Sequence, residues 1–111
     1  MEPTKESIEA TCPDCRGPLS VVRHGDLLEV HCLVGHVYSP KGLLRAHSDA
    51  QEQALWGGVV ALKEAVALVE AVRECFSPED VELLRAEAQH KWNQAKVVER
   101  IIRELNTFDT H

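Results

Sequence analysis

The chain has 111 residues, a net charge of −6 at neutral pH, four cysteines and 44% hydrophobic residues. The length suits one domain, but apolar residues are scarce in the N-terminal third, which therefore needs a staple other than a hydrophobic core. Residues 1–47 carry five basic and six acidic side chains and residues 48–111 carry seven and twelve, so neither half has the basic stripe with which nucleic-acid binders neutralise phosphates.

In chain order, the opening Met-Glu-Pro-Thr-Lys-Glu has neither the basic stretch nor the apolar stretch of an export signal. No apolar run of about 18 residues is free of charge. A soluble, cytoplasmic protein without membrane contact is expected, and in a reducing cytosol clustered cysteines are better read as metal ligands than as disulfides. Residues 1–11 read as a polar lead-in, with at most half a turn of helix between Glu6 and Ala10.

From Cys12 to His36 the order is metal loop, strand, turn, strand, metal loop. The apolar runs Leu19 to Val22 and Leu27 to Val30 flank Arg23-His24-Gly25-Asp26, whose glycine and aspartate favour a tight turn. The pattern predicts a β-hairpin, and residues 1–38 are read as a zinc ribbon.

Ser39-Pro40 marks a helix start, because the serine oxygen can accept from a first-turn N–H and proline there loses no needed donor. Leu55, Val59, Leu62, Val66, Val69 and Phe76 then recur at heptad-like spacing. A second row of Ala54, Gly58, Ala61, Ala65, Leu68, Val72 and Cys75 runs beside it, which predicts a buried face wide enough for more than one neighbour. Gly57-Gly58 costs about 1 kcal/mol per glycine against alanine, a cost that a kink or a closely approaching backbone would explain.

Ser77-Pro78-Glu79-Asp80 repeats the start signal with acids at the positive helix end. The second helix carries Val81, Leu84, Ala88, Trp92 (or the Lys91 stem), Ala95, Val98, Ile102 and Leu105, and Asn106-Thr107 is expected to end it. With only Phe76-Ser77 as the link, the helices, roughly 50 and 40 Å long at 1.5 Å per residue, must run antiparallel or bend sharply. Residues 39–111 are read as this hairpin. The expectation is a mainly α chain with a small β zinc ribbon, whose helical hairpin pairs with a second copy into a homodimeric four-helix bundle.

Cys12-Pro13-Asp14-Cys15-Arg16-Gly17 has the form of a zinc knuckle, two thiolates two residues apart with backbone N–H groups turned back toward the sulfurs. Gly17 is expected to relieve the backbone where the turn leaves. Cys32-Leu33-Val34-Gly35-His36 adds a thiolate and an imidazole, with Gly35 giving the tight loop its freedom. The whole, C-x2-C-x16-C-x3-H, matches closed tetrahedral zinc sites, so Cys12, Cys15, Cys32 and His36 are expected to bind one structural zinc ion per chain. His31 and His24 compete for the fourth place, but His31 should point to the opposite strand face from Cys32 and His24 sits in the distal turn. Cys75 is read as a small core residue.

Catalytic patterns are weak. Glu87 and His90 form an E-x-x-H pair of the kind di-iron bundles use, but a single copy on a polar helix reads first as a solvated face. His47, Ser48 and Asp49 are consecutive and point apart, so they form no triad. No phosphate-cradling or nucleophile-elbow motif occurs. The alternatives to a non-catalytic module are a nucleic-acid regulator using Arg16, Arg23, Lys41 and Arg45, and a metal-dependent enzyme with a second ion at Glu87 and His90.

Cys12-Pro13-Asp14-Cys15, Cys32-Leu33-Val34-Gly35-His36 with Tyr38-Ser39, Leu43-Leu44 and Glu52-Gln53-Ala54-Leu55-Trp56 together resemble the zinc-ribbon-plus-helix accessory segment at the C-terminus of bacterial chemotaxis-type protein-glutamate methylesterases. The resemblance covers roughly residues 10–75. It implies bacterial origin, a regulatory or interaction role in signalling with a protein partner, and metal-ligand roles for the same four residues. The segment is read as standing alone, without a methylesterase domain, so esterase activity is not expected.

Overall fold

A computed structural model of the chain describes residues 4–105. It contains strands β1 (Thr4–Thr11), β2 (Pro18–His24), β3 (Leu27–Cys32) and β4 (Val37–Tyr38), then helices α1 (Pro40–Val72) and α2 (Pro78–Arg103). A 3₁₀ turn, Arg73–Cys75, joins the helices. The chain divides into two compact units between Gln51 and Glu52. Among the described residues no helix is long and apolar enough to cross a membrane.

The first unit is built on a four-stranded antiparallel meander in the order β1-β2-β3-β4. Gly25 takes a left-handed backbone, φ 63°, in the two-residue turn that closes β2 against β3, where His24 faces Leu27. That conformation suits the twist of a tight hairpin and is open to glycine at little cost. Alternation along the strands sends Leu19 and Val21 of β2 and Leu28, Val30 and Cys32 of β3 to one face. There Leu19, Val30, Cys12 and Cys32 are buried, with Ile8, Tyr38 and Leu43 of α1 packed around them. Because successive links of a meander alternate ends, the β1–β2 and β3–β4 connections, residues 12–17 and 33–36, emerge at the same end of the sheet. These are the two metal loops.

This corrects the expected fold class. The chain is mixed α/β, a four-stranded antiparallel sheet with two helices, not a mainly α chain with a small β ribbon forming a four-helix bundle. The residues read as a polar lead-in are β1, paired with β2 from Thr4 opposite Arg23 to Ile8 opposite Leu19 and, past a register shift, at Thr11 opposite Pro18. Seven of its eight residues are exposed and only Ile8 is half-buried. Pairing through backbone groups on a polar edge strand leaves no two-residue hydrophobic period to read.

Both helix starts form as the sequence implies. Ser39 Oγ accepts the Gly42 N–H at 3.0 Å, and Ser77 Oγ accepts the Asp80 N–H at 3.1 Å. Glu79 and Asp80 lie in the first turn of α2, and Arg100 and Arg103 in its last, each complementing the helix dipole. The expected stop at Asn106-Thr107 lies outside the described residues.

In the second unit the helices run antiparallel along one apolar seam. Val59, Ala95 and Ile102 are buried together, with Leu55, Leu62 and Val98 beside them. On one open side of the seam, Arg85 grips the Glu70 carboxylate with two hydrogen bonds of 2.9 Å, and Lys63 pairs with Glu99 at 2.7 Å while lying 5.1 Å from the centre of the Trp92 ring. By helical spacing the second row of α1 follows the opposite side. Ala54, Gly58 and Ala61 are exposed there, Leu68 is 64% exposed and Val72 47%. The wide face is present, but this single chain covers only one row of it. Phe76 and Cys75, expected in the core, are also exposed. Among the described residues nothing outside the helix's own neighbouring backbone lies within 4 Å of where a side chain would start at Gly57 or Gly58, and α1 is helical through both.

Hydrogen bonding to Arg85 and the nearby positive charge hold Glu70 below its ordinary 4.5, and Lys63 does the same for Glu99. A carboxylate with a lowered folded value adds stability above its unfolded value and loses it as pH falls through the folded one. The melting temperature of the helical unit, followed by circular dichroism, should therefore hold steady down to about pH 5 and decline below about 4.5. In the double substitution Glu70→Gln, Glu99→Gln that acid decline should be shallower; an unchanged slope would show that the cross-helix pairs do not contribute.

Candidate metal centre

Each metal loop is a tight backbone turn that presents its ligands. In the first, the Cys12 N–H donates to the Gly17 carbonyl at 2.7 Å and the Arg16 N–H to the Cys12 carbonyl at 2.8 Å. The left-handed residue is Arg16, φ 64°, not Gly17. A Cβ at Gly17 would sit 3.4 Å from Cys15 Sγ, at the edge of ordinary van der Waals contact, so the glycine leaves room beside a candidate ligand. In the second loop the Cys32 N–H donates to the His36 carbonyl at 3.0 Å, and the Gly35 N–H to the Cys32 carbonyl at 3.3 Å. Gly35 has φ 104°, a conformation that a side chain would strain.

The two turns bring Cys12, Cys15, Cys32 and His36 together, with all four ligand atoms within 4.8 Å of one another. Cys15 Sγ lies 3.7 Å from Cys32 Sγ, and His36 Nδ1 lies 3.2 Å from Cys32 Sγ and 3.6 Å from Cys12 Sγ. Zinc bonds of about 2.3 Å to sulfur and 2.0 Å to nitrogen, set at tetrahedral angles, require edges of about 3.8 Å between sulfurs and 3.5 Å between sulfur and nitrogen. The residues fit the group: this Cys3His cluster is compatible with a single metal ion such as zinc. Among the described residues no other set of three or more His, Cys, Asp or Glu side chains comes within reach of one ion.

The competing histidines point elsewhere. His31 Nε2 lies 3.0 Å from Glu29 Oε1, and His24 Nε2 3.8 Å from the same carboxylate. Glu29 and His31 share the strand face opposite Cys32, as alternation requires. Glu87 pairs with Lys91 at 3.7 Å, and His90 is exposed with no metal-ligating cluster around it. Arg16, Arg23, Lys41 and Arg45 are exposed and take no part in the metal cluster.

Local donors prepare two of the sulfurs as thiolates. Burial pushes the Cys12 thiol up, but the Tyr38 hydroxyl and the N–H groups of Cys15 and Asp14 outweigh it and bring the group down to about 6. Burial likewise opposes ionisation of Cys32, and the His36 and Val34 N–H groups with the His36 ring overcome it; the His36 N–H reaches Cys32 Sγ at 3.3 Å. At Cys15 the Gly17 N–H favours the thiolate, but burial and the neighbouring Cys12 and Cys32 raise it overall. Hydrogen bonding to Cys32 raises His36. Three sulfurs and a ring nitrogen this close together suit one divalent cation, whose binding displaces their protons.

Sequence reasoning overlooked Tyr38 and Asp14 as parts of this site. The Tyr38 hydroxyl donates to Asp14 Oδ2, and the same oxygen lies 3.0 Å from Cys12 Sγ. Tyr38 stands two residues after His36, so its return to the side of the ligands was legible in principle from strand alternation.

Comparison with protein-family models, with characterised proteins and with solved structures finds no significant match. The reading of this centre therefore stands on its geometry and donor chemistry.

The histidine assignment makes a direct prediction. His36→Ala should weaken zinc binding by at least tenfold in competition with a chromophoric chelator, the scale expected for lost metal-site contacts, whereas His31→Ala should leave it unchanged. The reverse order would assign the fourth ligand to His31.

Proposed function

We propose that this chain is a non-catalytic interaction module whose N-terminal sheet is stabilised by one structural zinc ion at Cys12, Cys15, Cys32 and His36. The observation that carries this reading is the closed Cys3His cluster. Four protein ligands fill a tetrahedral zinc sphere, which favours a folding role over Lewis-acid catalysis. The resemblance to the accessory segment of bacterial methylesterases supports a regulatory role in a bacterial signalling system, and a reducing cytoplasm is the compartment that suits three ligating thiolates. The net charge of −6 favours a protein over a nucleic acid as partner.

The partner best supported is a second copy of the chain. The cross-helix pairs Lys63–Glu99 and Arg85–Glu70 line one of its open sides, while the α1 row on the other, Ala54, Gly58, Ala61, Ala65, Leu68 and Val72, is itself uncharged and is bordered on α2 by the Glu87–Lys91 pair. Paired glycines weaken α1, and nothing among the described residues approaches either closely enough to require them. The row is also self-complementary, with small residues at its start and Leu68 and Val72 at its end. An antiparallel copy centred on Ala61 sets each Leu68 against the other chain's Ala54 and removes contiguous apolar surface from water.

Elemental analysis of protein purified without chelator should give one zinc per chain, and light scattering at micromolar concentration should give a dimer. Gly58→Glu or Ala61→Glu should yield monomer or, where the monomer cannot stand alone, unfolded protein. A zinc content near zero would overturn the metal reading, and an unmodified monomer would overturn the second copy.

A further inference from the structure

We infer that Tyr38 is the positioning residue of the metal centre, its hydroxyl proton divided between the Asp14 carboxylate and the sulfur of the buried ligand Cys12. The inference rests on the proposed zinc reading and concerns what surrounds the four ligands.

Cys12 is the one ligand with no exposed surface, so water cannot satisfy its sulfur and any further hydrogen bond must come from the protein. Tyr38 is placed to supply it. Strand β4 pairs Tyr38 with Val30 and Val37 with His31, which fixes the ring over the buried face of the sheet, where it packs against the cluster containing Cys12 and Cys32. From there its oxygen reaches 3.0 Å from Cys12 Sγ and donates to Asp14 Oδ2 in the middle of the first metal loop. One hydroxyl thus ties β4 to the opposite loop.

The hydroxyl has one proton and two acceptors. A sulfur bound to a divalent cation is a thiolate with no proton of its own, so in the loaded centre only the hydroxyl can donate between these two atoms. Donation to a metal-bound sulfur withdraws negative charge from it and orients its lone pairs, which is how outer partners tune ligands. Asp14, exposed on the loop, competes for the same proton. The two neighbours therefore act in opposite directions: Tyr38 supports Cys12, and Asp14 draws the support away.

The test uses the full chain loaded with Zn2+ for affinity and with Co2+ for spectroscopy. Tyr38→Phe keeps the ring and its packing and removes only the hydroxyl. It should lower zinc affinity by about 10- to 100-fold and move the thiolate-to-cobalt charge-transfer band to longer wavelength, because a thiolate that has lost its hydroxyl donor gives up electron density more readily. Asp14→Ala should bind zinc at least as tightly as the unmodified chain, with the band unmoved or at shorter wavelength. An affinity within twofold of the original for Tyr38→Phe, or a loss of affinity with the band unmoved, would overturn the inference while leaving the Cys3His centre standing. Should Tyr38→Phe fail to fold, Asp14→Ala decides: weakened binding or a band at longer wavelength overturns it. If the unmodified chain binds neither metal, the zinc reading itself fails.

Discussion

Bringing two distant turns of the chain to one point, and keeping them there, is the constraint around which the N-terminal unit is organised. Its buried cluster comprises Leu19 and Val30 together with Cys12 and Cys32, so half of that cluster consists of thiols that double as candidate metal ligands. Three buried aliphatic side chains, Leu19, Val22 and Val30, and a partly buried fringe supply only about 10 kcal/mol of burial at most, little against the conformational entropy of ordering some thirty-five residues. A metal ion held by the Cys3His cluster would couple its own binding energy to the same fold. The meander topology follows this logic, since only with both metal loops at one end can four ligands converge without a long connection.

The helical unit rests on different physics. Its seam of Val59, Ala95 and Ile102 excludes water without any metal, and cross-helix pairs such as Lys63 with Glu99 fix the register on one side. Exposed pairs of this kind add little stability individually, but they mark that side as solvated. On the opposite side the α1 row is of uncharged small and aliphatic residues, bordered by the Glu87–Lys91 pair of α2. On the proposed reading, a metal that shapes one unit and an apolar side that recruits a partner through the other would be separable devices.

Much of the centre was legible in the sequence because metal ligation demands residue types and spacings that chance seldom supplies. Cys12, Cys15, Cys32 and His36 converge as their spacing implied, and strand alternation alone separated His36 from His31. The fold class was less legible. Strand β1 is a polar edge, and only its Ile8 touches the core, so nothing in residues 4–11 distinguishes a paired strand from a solvated tail until its partner is known. Gly17 was expected to relieve the backbone where the first turn leaves, but the left-handed residue of that loop is Arg16. On α1 the two apolar rows were visible, but periodicity cannot say which row an intrachain neighbour will cover; the heptad row went to α2 and the small row stayed open. Cys75 illustrates the limit of composition, because a residue type usually buried is exposed here at a helix junction.

If the zinc ion is what folds the N-terminal unit, its removal must act on one part of the chain and spare the other. Residue-resolved amide hydrogen exchange of the full chain, with zinc bound and after chelation, measures this directly. Chelation should abolish protection through residues 12–38, including the β2–β3 ladder, while the amides of α2 between Val81 and Ile102 stay protected. Equal protection of β2 and β3 with and without the metal would contradict a zinc-dependent fold, since the sheet would then be held by its apolar contacts alone.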